Sequence, residues 1–429
     1  MRLTLSVFLL ALPLAAWAQI PQTGLEQGAP RASESAAPLT LNAALELALG
    51  ANPDLSAAGR ELEALDATIT QAQARPNPEL SALIEDTRRE TRTTTLQLNQ
   101  PIELGGKRGA RIEAAERGRD AASLELDAKR AEIRAAVTAA FFDVLIAQER
   151  LRLAQASVEL AQRATGAASR RVIAGKVSPV EETRARVAEA AVRVEQAQAA
   201  SEVTTARRRL AATWGNSSPH FERAEGDPEA LPPLPAMADL NARLATAPNL
   251  LRARIEVDRR QSLAEVERSR SVPDMIVSLG GKRIEELDLN QAILGVAIPI
   301  PIFDRNQGNL LEALRRTDKA HDELSATEIR LSNELALAYE RLNLARQEVA
   351  SLQRDILPGA QSAYDAATKG FELGKFNFLE VLDAQRTSFQ AKSQYLRALA
   401  EAHRSAAEID RILGTASTQS ITAPAATQQ

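Results

Sequence analysis

The chain has 429 residues, 52 basic and 56 acidic, for a net charge of −4, which excludes a nucleic-acid surface built on excess positive charge. It contains no cysteine, so disulfides, thiolate metal sites and an acceptor thiol for an N-terminal lipid are excluded. Hydrophobic residues make up 45 % but aromatics only 3 %, the composition of long helices packed through small side chains.

Met1-Arg2, the apolar run Leu3 to Leu14 and Ala16-Trp17-Ala18 read as a secretory signal peptide over residues 1–18. The run is short of the ~20 residues that a spanning helix needs. Residues 19–38, rich in Gln, Gly, Pro, Ser and Ala, read as an extended arm. The first half, 39–216, opens with Asn42 as candidate cap of a helix that runs to about Arg75, where Pro76 and Pro78 stop it.

Residues 79–101 change character. Ala82-Leu83-Ile84 and Thr93-Thr94-Thr95-Leu96-Gln97-Leu98 predict two strands around a polar loop, with the length of barrel strands that cross a bilayer. These strands carry no Trp or Tyr girdle, and a soluble surface hairpin gives the same local pattern. From Lys107 to about Ala174 no proline interrupts a helical pattern, which predicts a helix roughly 100 Å long. Val137, Val144, Leu151 and Val158 fall seven apart, and Ala140, Ala147, Ala154 and Ala161 fill the second seam position, as in a coiled coil. The helix ends at Gly175, and Ser178-Pro179-Val180-Glu181 reads as a capping box opening the next helix.

After a Pro-rich linker, 217–236, the second half (237–415) repeats this order. Asn52-Pro53-Asp54-Leu55 returns as Ala247-Pro248-Asn249-Leu250, Pro101 as Pro299, Gly175-Lys176-Val177-Ser178 as Gly374-Lys375-Phe376-Asn377, at a shift that drifts from 195 to 199. A period this long marks a duplicated half-protein and not a solenoid. Its strands fall at about 274–300, around Met275–Leu279 and Ala292–Ile298. Its seam continues through Leu335, Leu342, Val349 and Ile356, and through Ala338, Ala345, Leu352 and Gly359. Asn377-Phe378-Leu379-Glu380 repeats the capping box, and residues 416–429 read as a disordered tail.

No catalytic constellation is visible, and no cofactor or bound metal is expected. His220, His321 and His403 share no metal-ligand spacing and read as solvated surface. Gly105-Gly106-Lys107-Arg108 lacks the spacing and the Ser/Thr of a phosphate loop and reads as a strand-to-helix junction; Gly280-Gly281-Lys282-Arg283 reads as a hairpin turn. Four strands cannot close a barrel, which takes about eight or more, so the chain is expected to oligomerise.

With these pieces in place the chain resembles the outer-membrane efflux proteins, the TolC-like family, over about residues 39–415. The resemblance rests on the duplication, on the junction Gln100-Pro101-Ile102-Glu103-Leu104-Gly105-Gly106-Lys107-Arg108, on its partner Ile298-Pro299-Ile300-Pro301-Ile302-Phe303-Asp304, and on the tip Gly374 to Ala384. The first junction looks most like the cation-efflux, CzcC-like branch. The fold this implies is mainly α with a small β part. Long coiled-coil hairpins would form a trimeric α-barrel, and four strands per protomer would enter a shared twelve-stranded outer-membrane β-barrel.

The resemblance implies a homotrimer seated in outer-membrane lipid that extends into the periplasm. It would work with a periplasmic adaptor and an inner-membrane RND-type pump. Many relatives carry a lipidated N-terminal cysteine; this chain departs from that, which leaves anchoring to the barrel. The resemblance also places acidic rings at the periplasmic entrance, and the matching positions are Glu380 and Asp383. Glu380 also fits a plain capping role, and Glu181 fits a cap better than a gate. The adaptor would meet the hairpin tips Gly175, Lys176, Val177 and Ser178, and Gly374, Lys375, Phe376 and Asn377. Heavy-metal cations are the expected cargo. Organic solutes or drugs, or a protein secreted by a type I exporter, fit the same duct; a periplasmic coiled-coil scaffold is the alternative of another class.

Overall fold

The computed structural model describes Glu34 and residues 37–373, 375–376 and 378–414. The expected signal peptide and C-terminal tail lie outside these residues. The two halves carry the same order of elements. The first is α1 (Leu41–Ala51), α2 (Pro53–Gln73), β1 (Glu79–Glu85), β2 (Thr93–Ile102), α3 (Lys107–Ile173) and α4 (Pro179–Ala212). The second is α5 (Met237–Leu244), α6 (Pro248–Arg270), β3 (Met275–Ile284), β4 (Leu289–Ala297), α7 (Gln307–Ser351), a π-helical turn (Leu352–Ile356), α8 (Leu357–Glu372) and α9 (Phe378–Leu413).

The single helix expected from Asn42 is two helices, and the cap of the first is Thr40, whose hydroxyl accepts from Ala43 N. The break is at Asn52-Pro53. Pro53 lacks the N–H that would continue α1, and Asn52 takes over as cap of α2, accepting from Leu55 N at 3.0 Å while its amide donates to Thr213 O at 2.7 Å.

All four strands form one antiparallel sheet in the order β1-β2-β3-β4, and the central pair β2–β3 joins the halves over ten residue pairs, Thr93↔Ile284 to Ile102↔Met275. Register sorts the side chains onto two faces. Leu80, Leu98, Leu279 and Leu294 form one rung across all four strands, flanked by Leu96 and Val296, and these six are 45–80 % exposed. Leaving such side chains in water forgoes ~1.5–3 kcal/mol each, so this face is made for an apolar surrounding.

The other face is polar. Ser278 donates to Asn99 Oδ1 at 2.8 Å, Gln97 Nε2 donates to the same oxygen at 2.8 Å, and Lys282 lies 3.6 Å from Glu85. Gly280-Gly281 is not a turn. Both glycines lie inside β3, opposite Gln97 and Leu96, and a Cβ on Gly280 would come within 2.4 Å of Leu96 O. The turn of this hairpin falls at Glu285–Asp288.

Below the sheet, α3 is continuous for 67 residues, about 100 Å at 1.5 Å per residue. It packs against α4 on one side and α9 on the other, and α9 packs against α7 and α8. Of the predicted heptad, Val137, Val144, Ala147, Ala154, Val158 and Ala161 are buried along its seam, while Ala140 and Leu151 are half-buried.

In α7 the seam holds through Leu335, Ala338, Leu342, Ala345, Val349 and Leu352 and then slips. Ile356 is 46 % exposed and Gly359 is exposed, while Leu357 is half-buried and Ala360 buried. The slip is the π-turn, which inserts one residue into the helix. Its cause is Pro358, whose ring would press on the carbonyl four residues earlier in a regular α-helix. The extra residue also explains the last step in the drift of the repeat: Val137 and Leu335 are 198 apart, whereas Val158 and Leu357 are 199 apart.

Candidate functional site

The two hairpin ends lie together, because Ala168 of α3 and Ala185 of α4 pack against Phe371 of α8 and Leu382 of α9. The Arg171 guanidinium sits over the Phe371 ring, 4.9 Å from its centroid, and ties the first hairpin to the second.

The first tip closes by paired bonds, Lys176 N to Arg171 O and Gly175 N to Val172 O, both 2.9 Å, with Gly175 at φ +69°. Ser178 then caps α4 by accepting from Val180 N at 3.3 Å. Only half of the expected capping box forms, since Glu181 makes no bond back to Ser178 N among the described residues. The second tip repeats the first: Lys375 N donates to Gly370 O at 2.8 Å, the counterpart of Lys176 to Arg171. Phe376 folds back on Gly370, where an added Cβ would come 2.1 Å from the ring. Gly175, Lys176, Ser178, Lys375 and Phe376 are exposed and Val177 is half-buried; Gly374 and Asn377 lie outside the described residues.

Glu380 and Asp383 lie three apart in the first turns of α9, both exposed, on the side away from buried Val381. They begin a polar row that continues at spacings of three and four through Thr387, Gln390, Gln394 and Arg397 to Glu401 and Arg404, all exposed. The sequence reading missed this row, although its spacing is visible in the sequence. At its upper end lies a groove of about 620 Å³ between α3, α4 and α9. There Arg404 pairs with Asp143 at 2.6 Å and Arg150 with Glu202 at 2.7 Å.

The opposite side of the same helices carries the linker between the halves. Gln148 bonds to Ala224, and Phe141 and Leu145 pack at Gly226. His403 points to this side. It is 2 % exposed, not solvated as the sequence suggested, and lies stacked on Phe142 with its Nε2–H donating to Pro228 O at 3.1 Å. Burial pulls its pKa below 6.5 and keeps it neutral, against the pull of Pro228 O and Asp227. His220 and His321 are exposed.

The glycine-lysine junction is a clasp. Gly105, at φ +71°, lets the β2–α3 corner press on Val272 and Ser269; a Cβ there would come 2.6 Å from Val272 Cβ. Lys107 Nζ and Leu104 N both donate to Asp274 Oδ1, at 2.7 and 3.2 Å, so one carboxylate binds the halves together at the base of the sheet. Arg111 grips Glu103 and reaches Ala74 O, and Arg108 caps Gln73 O. Among the described residues no group of three or more His, Asp or Glu is placed to hold a metal ion.

The sequence model for "Outer membrane efflux protein" matches residues 44–216 and 240–415, one segment in each half. The chain is 52 % identical over 381 residues to the cobalt-zinc-cadmium resistance protein CzcC of Cupriavidus metallidurans, covering 89 % of this chain and 91 % of that one. It is 27 % identical over 291 residues to the nickel-cobalt-cadmium resistance protein NccC of Alcaligenes xylosoxydans xylosoxydans, covering 66 % of each. The fold superposes on the crystal structure of the transmembrane channel protein CusC with a TM-score of 0.76, over 91 % of this chain and 96 % of that one, at 19 % identity. The exposed leucine rung, the twin hairpins and the full-length match agree, and the chain belongs to the outer membrane efflux protein family.

Proposed function

We propose that this protein is the outer-membrane duct of a tripartite efflux system that exports divalent heavy-metal cations. The observation that carries the cargo is the 52 % identity to a cobalt-zinc-cadmium resistance protein over nearly the whole of both chains. As a homotrimer, its copies would pair β4 of one with β1 of the next into twelve strands, since a single copy leaves both edges open. The helical layer offers a matching seam. Val180, Val187 and Val194 of α4 fall seven apart, are 55–65 % exposed, and alternate with the small residues Thr183, Ala190 and Ala197, the pattern that is buried in α3.

In this assembly the linker takes the outer side, and the polar row of α9 lines the duct from Glu380 and Asp383 upward. Three copies of each carboxylate form rings that favour cations over anions. The tips around Lys176 and Lys375 meet the periplasmic adaptor, and an inner-membrane pump supplies the energy. The duct itself holds no substrate tightly and catalyses nothing. Opening is an untwisting of the second hairpin against the first.

Growth of a deletion strain across graded zinc, cobalt, cadmium, nickel and copper, with a dye and a detergent as controls, tests the cargo. Sensitivity to metals alone is expected. Sensitivity to the organic compounds alone would assign the same duct to drug efflux.

A further inference from the structure

The segment Ile298-Pro299-Ile300-Pro301-Ile302-Phe303 leaves β4 and enters α7 without regular structure. Its side chains stand out: Ile300 is 80 %, Ile302 62 % and Phe303 91 % exposed. Leu294 and Val296 lie on the apolar face of β4, and Ile298, Ile300 and Ile302 keep its spacing of two past the last paired residue, Ala297, until the bond from Ile302 N to Ile300 O bends the chain at Pro301.

Two features separate this segment from an ordinary exposed loop. The first is its backbone. Pro299 and Pro301 have no N–H, and Ile302 N donates to Ile300 O at 2.9 Å, so three of six peptide nitrogens need nothing from water. The same prolines prevent the segment from serving as a strand edge for another chain.

The second feature is height. On β3 and β4 the apolar face runs from the Ile298 row to the Ala292 row, above which Arg283 and Asn290 begin the polar end; on β1 exposed Ile84 carries it one row further. Three steps of two residues span ~20 Å along a strand. A tilt of about 40° reduces this to roughly 15 Å, short of the ≈ 25 Å apolar band of outer-membrane barrels. Ile300, Ile302 and Phe303 supply the missing rows on the side of the helices. Exposed Asp304 and Arg305 follow, where headgroups and water begin.

We propose that residues 298–303 form a membrane wedge, in which Ile300, Ile302 and Phe303 insert into the periplasmic leaflet of the outer membrane and set the depth of the barrel. The partner is a lipid surface. The inference rests on the outer-membrane location alone and not on the cation cargo or the gate.

The chain has no cysteine, so single cysteines can be labelled without background. Ile300→Cys, Ile302→Cys and Phe303→Cys in the full-length protein would each carry an environment-sensitive dye. The vesicles would be of phosphatidylethanolamine and phosphatidylglycerol, with a lipid spin-labelled near its headgroup. Leu294→Cys on the apolar sheet face and Glu312→Cys on α7 are the lipid and water references. Fluorescence loss at the wedge comparable with that at Leu294, and absent at Glu312, is expected. Quenching by aqueous iodide in place of lipid would overturn the proposal. So would blue-shifted emission quenched by neither, which would bury the segment against a second copy. The Leu294 label reports insertion of the barrel itself, so failure of the membrane location is read separately.

Discussion

Phe142 of the first half and His403 of the second stack face to face, ring centroids 3.5 Å apart and planes within 9°. With the bond to Pro228, this stack fastens three parts of the chain: α3, α9 and the linker. Burial favours the neutral imidazole, so the folded pKa lies below 6.5 and the unfolded chain binds more protons in between. Stability is therefore full above about pH 6.5 and declines as pH falls through that value. Asp227 is the carboxylate that opposes this shift. Melting measured at neutral and mildly acidic pH should show the decline in the parent protein and a smaller one in His403→Phe, which keeps the stack and removes the titration. An identical pH profile would rule out His403 as the source.

If Glu380 and Asp383 line the entrance as proposed, removing their carboxylates should alter ion preference without unfolding the duct, because both are exposed. Asp383→Ala with Glu380→Ala is expected to lower the cation-to-anion permeability ratio several-fold in planar bilayers. An unchanged ratio would remove the acidic gate and leave Glu380 as a helix cap.

The Arg171–Phe371 contact should hold the entrance closed. A cation–π pair contributes ~0.5–2 kcal/mol, so Arg171→Ala should raise the opening constant by roughly 2- to 30-fold. Single-channel recordings read this directly; unchanged open probability would show that the alanine and leucine packing suffices.

The halves should respond differently to loss of one residue at the same level. Deleting Arg354 removes the inserted position and keeps Leu357 and Ala360 on their seam, but it forces Pro358 into a regular helix at about 3 kcal/mol, a cost that adding Pro358→Ala should reduce to within about 1 kcal/mol. Deleting Glu159 from α3 rotates Ala161, Thr165 and Ala168 off a seam that has no slack, at a cost of several kcal/mol. Thermal melting of these variants separates the outcomes.

Gly105→Ala adds a Cβ at positive φ and in the space of Val272, so a loss of about 1–3 kcal/mol and poorer recovery from the outer membrane are expected. Normal recovery would mean that α6 can shift to admit the methyl group.

Patterns that repeat were readable from the sequence. The strand pairs, the tips and the α3 seam each recur at a near-fixed shift, and the period of seven holds wherever no proline interrupts the helix. Single events were not. Nothing near His403 shows that Phe142, distant in the chain, will cover it. Gly280-Gly281 has the composition of a turn, and only the close pass of Leu96 O gives it another reason. Pro53 stands out in the sequence as part of the repeat, and its break of the helix shows only once Asn52 is seen to cap α2. Pro358 leaves the count of seven intact in the sequence, and its effect shows only in the π-turn that precedes it. The row ending at Glu401 and Arg404 is hard to see for a different reason: it lacks the apolar residues that mark a helix face in sequence.

The β2–β3 joint sets the symmetry of any ring these copies build. Inside one chain, the inner strand of the first half meets the inner strand of the second. Each outer strand is left free, one from either half. A contact between copies then also joins a second half to a first, so covalent and non-covalent joints alternate around the circle. Three chains would thus behave as six near-equivalent units. The π-turn is present in only three of them, and a ring built this way opens with threefold motion inside a nearly sixfold wall.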